Sequence, residues 1–146
     1  MALINKWFLC LLLIPAFSLA QKPEVFSVSD QAIRGFDPVA YFTEGYPAEG
    51  LKQFHYRWNN SNWYFSSEKN LKLFISDPEK FAPQYGGWCA YGMAKGYKAK
   101  TEPDAWSIVG GKLYLNYSTG IRDEWNKKQS EYISAADKNW PTVRLR

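Results

Sequence analysis

The stretch Gln84-Tyr85-Gly86-Gly87-Trp88-Cys89-Ala90-Tyr91-Gly92-Met93-Ala94-Lys95-Gly96 constrains the fold more than any other part of the chain. Four of the ten glycines fall in it, beside Tyr85, Trp88 and Tyr91. The pair Gly86-Gly87 allows positive φ or a close backbone approach, as a loop built around a site requires. Cys89 and Met93 are four residues apart, so a helical turn here puts two sulfur atoms on one face. A chemical centre, if the chain has one, is expected in this segment.

The first 20 residues read as a secretory signal. Lys6 supplies a positive start, Trp7 to Phe17 an apolar core, and Ser18-Leu19-Ala20 a small-residue cleavage site. The apolar run is shorter than the roughly 20 residues a membrane span needs, so no stable span is expected after cleavage. Cys10 follows Phe8 and Leu9 rather than small residues, which is not a lipoprotein pattern. The domain proper is therefore residues 21–146, exported to the periplasm or the extracellular space. Loss of Lys6 lowers the formal net charge from +4 to +3. A chain of this length can bury a core without disulfide staples. Cys89 is then left without a partner in a compartment that favours disulfides. The positive charges are scattered apart from Lys127-Lys128 and the Arg144–Arg146 tail, so no nucleic-acid surface is expected.

Residues 25–33 alternate loosely, as an edge strand would. Asp37-Pro38 is a helix-start signal, with Asp37 as cap and Pro38 at the first helical position. Residues 43–53, with Gly45, Pro47 and Gly50, read as loop. Phe54, Tyr56 and Trp58 alternate with His55 and Arg57, Asn59-Asn60-Ser61-Asn62 turns, and Trp63-Tyr64-Phe65 returns, which predicts a hairpin. Ser66 or Ser67 then caps a helix with an apolar stripe of Leu71, Phe74 and Ile75, stopping near Asp77-Pro78. Thr101-Glu102-Pro103-Asp104 reads as another turn or helix start. Trp106 to Val109 and Lys112 to Tyr117 flank Gly110-Gly111, which suits a two-residue hairpin turn. Ser118 caps a last amphipathic helix bearing Ile121, Trp125, Tyr132, Ile133 and Ala136, with Asn139-Trp140-Pro141 ending it. Strands and helices mixed without βαβ alternation predict a small single α+β domain with two hairpins.

Several blocks carry a resemblance. Phe36-Asp37-Pro38-Val39-Ala40-Tyr41-Phe42, Trp63-Tyr64-Phe65-Ser66-Ser67, Phe74 to Phe81 and Ala82 to Tyr91 resemble the exported YHS-domain proteins. Gly111 to Tyr117 and Asn139-Trp140-Pro141 resemble the C-terminal half of that family, so the likeness runs from about Ala32 to Pro141. It implies a YHS-like fold and a link to heavy-metal handling, copper above all. Relatives that include selenoproteins imply that a thiol or selenol position matters, and Cys89 is the matching residue. Metal-type YHS domains carry cysteines where this chain has Ala40 and, approximately, Ser66. Structural zinc needs about four Cys or His ligands, and residues 21–146 offer one of each, Cys89 and His55.

Three functions fit these residues. A soft metal such as copper would take Cys89, Met93 and His55 as thiolate, thioether and imidazole. Thiol redox chemistry would use Cys89 with its pKa depressed by Lys95 or Lys98, and His55 as base. A binding module without chemistry would hold a small ligand among Tyr85, Trp88 and Tyr91, drawing on seven tryptophans, ten tyrosines and nine phenylalanines. The bland alternatives are a buried structural thiol for Cys89, core filling for Met93 and a solvated strand position for His55. With one histidine and no Ser-His-Asp pattern, hydrolase chemistry is not expected, and a binding role is preferred to an enzymatic one.

Overall fold

The computed structural model describes residues 21–146; the expected signal sequence, residues 1–20 with Lys6 and Cys10, lies outside the described residues. The first hairpin is β3, Leu51–Trp58, with β4, Ser61–Phe65. Asn59 and Asn60 both take positive φ, 50° and 59°, so the turn is a two-residue one and β4 starts at Ser61 rather than after Asn62. Phe54, Tyr56 and Trp58 pack against a core while His55 and Arg57 face solvent. β3 already begins at Leu51, inside the stretch expected to be loop. Its register shifts between Leu51 and His55, so residues 52–54 bulge.

The segment expected to be one edge strand is instead a minimal hairpin. β1, Ser27–Val28, pairs with β2, Gln31–Ala32, through a turn at Ser29 and Asp30, and β2 runs parallel to β4, giving the order β1-β2-β4-β3. The second sheet is β5, Trp106–Val109, with β6, Lys112–Leu115, joined by Gly110-Gly111 as the dipeptide predicts. β6 is buried on both faces. Leu113 and Leu115 enter a first core with Val39, Tyr41, Trp63, Phe65 and Phe74, while Tyr114 enters a second with Tyr85, Trp88, Met93 and Trp125. The two-residue period of a strand makes that division unavoidable.

The helices are α1, Ala40–Thr43; α2, Glu68–Ser76; α3, Pro78–Phe81; α4, Ala90–Ala94; α5, Thr119–Asn126; and α6, Gln129–Val143. Ser67 caps α2, Asp77 caps α3 and Ser118 caps α5, each accepting a backbone N–H three residues on. On α2, Phe74 is fully buried and stacks against Tyr56, Trp58, Trp63 and Phe65, but Ile75 is 46% exposed. One residue turns 100° around the axis, so Ile75 leaves the face that Leu71 and Phe74 share. The single C-terminal helix expected is two, broken at Lys127-Lys128. The second runs through Pro141 to Val143, since the proline sits in the last turn and removes a single hydrogen bond there.

Asp37 does more than start α1. Its carboxylate is fully buried and accepts five hydrogen bonds. Val39 and Ala40 N–H donate to Oδ1 at 2.8 and 3.2 Å. Ser66 N–H, Ser66 Oγ–H and Asn70 Nδ2–H donate to Oδ2, each at 2.8 Å. One side chain thus holds α1, the end of β4 and α2 together. Asp37→Asn replaces an acceptor with an NH2 group facing these donors, and we expect it to lower stability by about 2–4 kcal/mol. Urea unfolding of the two proteins measures this; a loss below about 1 kcal/mol would refute the joint's importance.

Candidate functional site

Pro83 leads into a tight turn, Gln84–Gly87, in which Tyr85, Gly86 and Gly87 take φ of 58°, 63° and 84°. Gly86 is required twice over. Its φ is left-handed, and a Cβ there would run into the carbonyl of Glu24. The close approach lets Phe26 N–H donate to Gly86 O at 2.8 Å. Tyr85 holds a left-handed conformation that a non-glycine residue adopts only under constraint. The constraint is visible: its ring lies against Tyr114 and Trp140, and its hydroxyl donates to Asp137 Oδ1 at 2.8 Å. Burial, with that hydrogen bond second, pushes the Tyr85 phenol well above its ordinary range.

After Trp88 the chain enters α4 with Cys89 as its N-cap. Gly92 N–H donates to Cys89 Sγ at 3.4 Å, and Cys89 N–H donates to Ala99 O at 3.0 Å. The thiol lies 3.5 Å from Asn116 Oδ1, which also accepts Tyr91 N–H at 3.0 Å. Cys89 is 1% exposed. Burial pushes its thiol above the ordinary value, partly opposed by the N–H groups of Gly92, Tyr117 and Tyr91. Behind it, Asn116 Nδ2 is buried with no hydrogen-bond partner among the described residues. Asn139 Nδ2–H donates to the carbonyls of Met93 and Ala94 at 3.0 and 3.2 Å, which closes the other end of α4 against α6.

Cys89 borders a cavity of about 250 Å³ shared with Tyr91, Tyr97, Ala99, Tyr117 and Ile121. Tyr97 and Tyr117 are about half exposed, so the cavity opens between them while the thiol contributes little surface. Lys95 lies 5.3 Å from the centre of the Tyr91 ring and Lys100 4.7 Å from that of Tyr117. Two ammonium groups therefore flank an aromatic, mostly apolar hollow.

The residues singled out in the sequence separate in space. Met93 shares α4 with Cys89 but is fully buried in the second core and does not line the cavity. His55 is exposed on β3, its Nδ1 2.9 Å from Lys52 O and its ring 6.2 Å from that of Tyr64, and it shares none of Cys89's neighbours. Among the described residues no three His, Cys, Asp or Glu side chains gather in a way that could hold a metal ion. Tyr91 lines the Cys89 cavity, whereas Tyr85 faces a different one. Trp88 lines neither; it is 7% exposed, its indole Nε1–H donates to the carbonyls of Pro23 and Glu24, and its ring tilts against Phe26. Tyr97, Ala99, Tyr117 and Ile121 escaped the sequence reading because three separate segments deliver them. No family model, no curated protein sequence and no solved structure matches the chain.

Cys89 holds its proton more tightly in the folded state than in the unfolded chain. Its contribution to stability is therefore complete below the unfolded thiol pKa and is lost as pH rises above it. Between about pH 8 and pH 10, wild type should lose stability relative to Cys89→Ser, which lacks this titration. Paired urea unfolding at the two pH values measures it, and an unchanged difference would refute it.

Proposed function

We propose that this domain is an exported binding module that holds a small, flat, largely apolar molecule, neutral or anionic, in the cavity beside Cys89. The observation that carries the reading is that Tyr91, Tyr97 and Tyr117, with Ala99, Ile121 and the Cys89 thiol, converge on one hollow of about 250 Å³. Aromatic walls of this kind supply contact area and stacking, and a few polar groups fix orientation. Lys95 and Lys100 beside the walls favour an electron-rich or acidic end over a cationic one. The signal read in residues 1–20 supports action outside the cytoplasm.

Among the thiol-based readings, redox catalysis needs a depressed thiol pKa, and burial here acts in the opposite direction. A soft metal held by Cys89, suggested by the YHS resemblance, retains one soft donor on the cavity, with Met93 in the core and His55 on another hairpin. The two readings separate in one experiment. Indole, titrated into the purified protein as a flat apolar probe, should shift the NMR signals of Ile121 and Tyr117 saturably. Tyr97→Ala, at a half-exposed wall, should weaken that binding about tenfold with little change in stability. Absence of saturable shifts would sink the apolar-ligand reading. Tight Cu(I) binding against a competing chelator, abolished in Cys89→Ser, would replace it with the metal.

A further inference from the structure

A hollow of about 330 Å³ lies where the segment at Lys22 meets the end of α6. Lys22, Lys98 and Arg146 line it with Gly96, Tyr97 and Val143, and no Asp or Glu side chain does. Lys98 brings these remote segments together. It is buried, and its ammonium donates to the carbonyls of Lys22, Arg144 and Arg146 at 3.0, 3.2 and 3.0 Å. Lys22 Nζ–H donates in return to Lys98 O at 3.2 Å. All three ammonium hydrogens of Lys98 are thereby used, so Lys98 builds the hollow and leaves ligand contacts to its neighbours. Tyr97 forms a fixed rim. Its N–H donates to Gly92 O at 3.1 Å, and its ring lies so close to Gly92 that a Cβ there would meet Cε2 at 3.0 Å.

The charges here are poorly balanced. Glu24 acts on Lys98 and also faces Arg144 at 3.9 Å, so its one charge is shared between two cations. Lys22 and Arg146 are both exposed and make no ion pair among the described residues. The Arg146 guanidinium donates no hydrogen bond among the described residues, which leaves its planar fork open. Burial lowers the Lys98 pKa, Glu24 opposes that shift and Lys22 adds to it, so the two lysines repel. Cations that converge on one concave surface raise the local potential, and an anion between them relieves the repulsion.

The donor set selects among anions. Phosphate sites draw on backbone N–H groups at a helix N-terminus or a nest. The backbone at this hollow instead presents carbonyls, those of Lys22, Lys98, Arg144 and Arg146, each already bonded to a lysine. A carboxylate needs only what the side chains supply, paired N–H groups from a guanidinium and one from an ammonium. Beside those donors the half-exposed ring of Tyr97, with Val143 also on the lining, offers an apolar wall. We infer that the hollow between Lys22, Tyr97 and Arg146 binds an organic carboxylate, its acid group on the two cations and its apolar body against Tyr97. This site does not rest on the Cys89 cavity. Tyr97 lines both, but Lys98 lines this one and Ala99 the other.

The test titrates benzoate, benzyl alcohol and inorganic phosphate into the purified protein at pH 7. The NMR signals of the Gly96 and Val143 amides and of the Arg146 side-chain N–H report on this hollow, and those of Tyr117 and Ile121 on the Cys89 cavity. Benzoate should shift the first set saturably, and benzyl alcohol should bind at least about tenfold more weakly, because it keeps the ring and lacks the charge. The double variant Lys22→Gln with Arg146→Gln changes two exposed positions and should weaken benzoate about tenfold with little change in stability, while indole still shifts Tyr117 and Ile121 as in the wild type. Tyr97→Ala should weaken benzoate severalfold by removing the wall. No saturable response of Gly96, Val143 and Arg146 to benzoate, equal binding of the alcohol, phosphate binding tighter than benzoate, or an unaffected double variant would each overturn the assignment, whatever indole does at the other cavity.

Discussion

The backbone of Gly86 passes so close to the carbonyl of Glu24 that no side chain fits between them. That contact joins the first described segment of the domain to its centre. Phe26 N–H reaches Gly86 O, and Trp88 places its indole N–H on the carbonyls of Pro23 and Glu24. Thr101 Oγ–H adds a 2.7 Å hydrogen bond to Gly87 O, and Arg34 Nε–H reaches Thr101 O. Lys98, buried nearby, ties the segment at Lys22 to the end of α6 by donating to the carbonyls of Lys22, Arg144 and Arg146. A turn with three consecutive left-handed residues persists only where its surroundings over-determine it, and these bonds do so.

The turn has a directional consequence. Reversing the backbone between Tyr85 and Trp88 sends Tyr85 toward Trp140 and Asp137, while Cys89 and Tyr91 emerge at the start of α4 near Asn116 and Tyr117. Aromatic residues close in sequence therefore end on different sides of the turn. Tyr91 lines the Cys89 cavity beside Lys95, while Tyr85 is 4% exposed and packed against Tyr114 and Trp140. β6 carries the same division into the interior, with Leu113 and Leu115 on one core and Tyr114 on the other.

Aromatic abundance was the clearest compositional signal, and the structure uses most of it for packing. Phe74 alone meets four other rings, and Trp125 and Trp63 are fully buried. Trp125 is buried with its indole N–H unpartnered among the described residues, a sign that volume rather than polarity selects it there. The residues left to shape cavities are the partly exposed ones, Trp58, Trp140, Tyr91, Tyr97 and Tyr117.

Local chemistry alone was enough to determine the elements whose signals lie within a few residues. Gly110-Gly111 made a two-residue turn, the asparagines after Trp58 marked a turn that the structure shortens to Asn59-Asn60, Ser67, Asp77 and Ser118 capped helices, and Gly86-Gly87 marked a left-handed, crowded backbone. Together they establish an α+β domain and its two longer hairpins, and place a special segment at residues 84–96. Where the signal is weak or distant, the tertiary structure decided. Ile75 lost its place in the core to the geometry of one helical residue, and the C-terminal helix broke at Lys127-Lys128 with no glycine or proline to announce it. Asp37 looked like a cap and proved to be the joint between three elements, because Ser66 and Asn70 reach it only after folding. The same holds for the cavities. Spacing could relate Cys89 to Met93 along a helix, but a helix face says nothing of what packs on it. Met93 met the second core, His55 stayed on a distant hairpin, and Cys89's neighbours came from residues 97–99, 116–117 and 121, brought together by contacts with no signature along the chain.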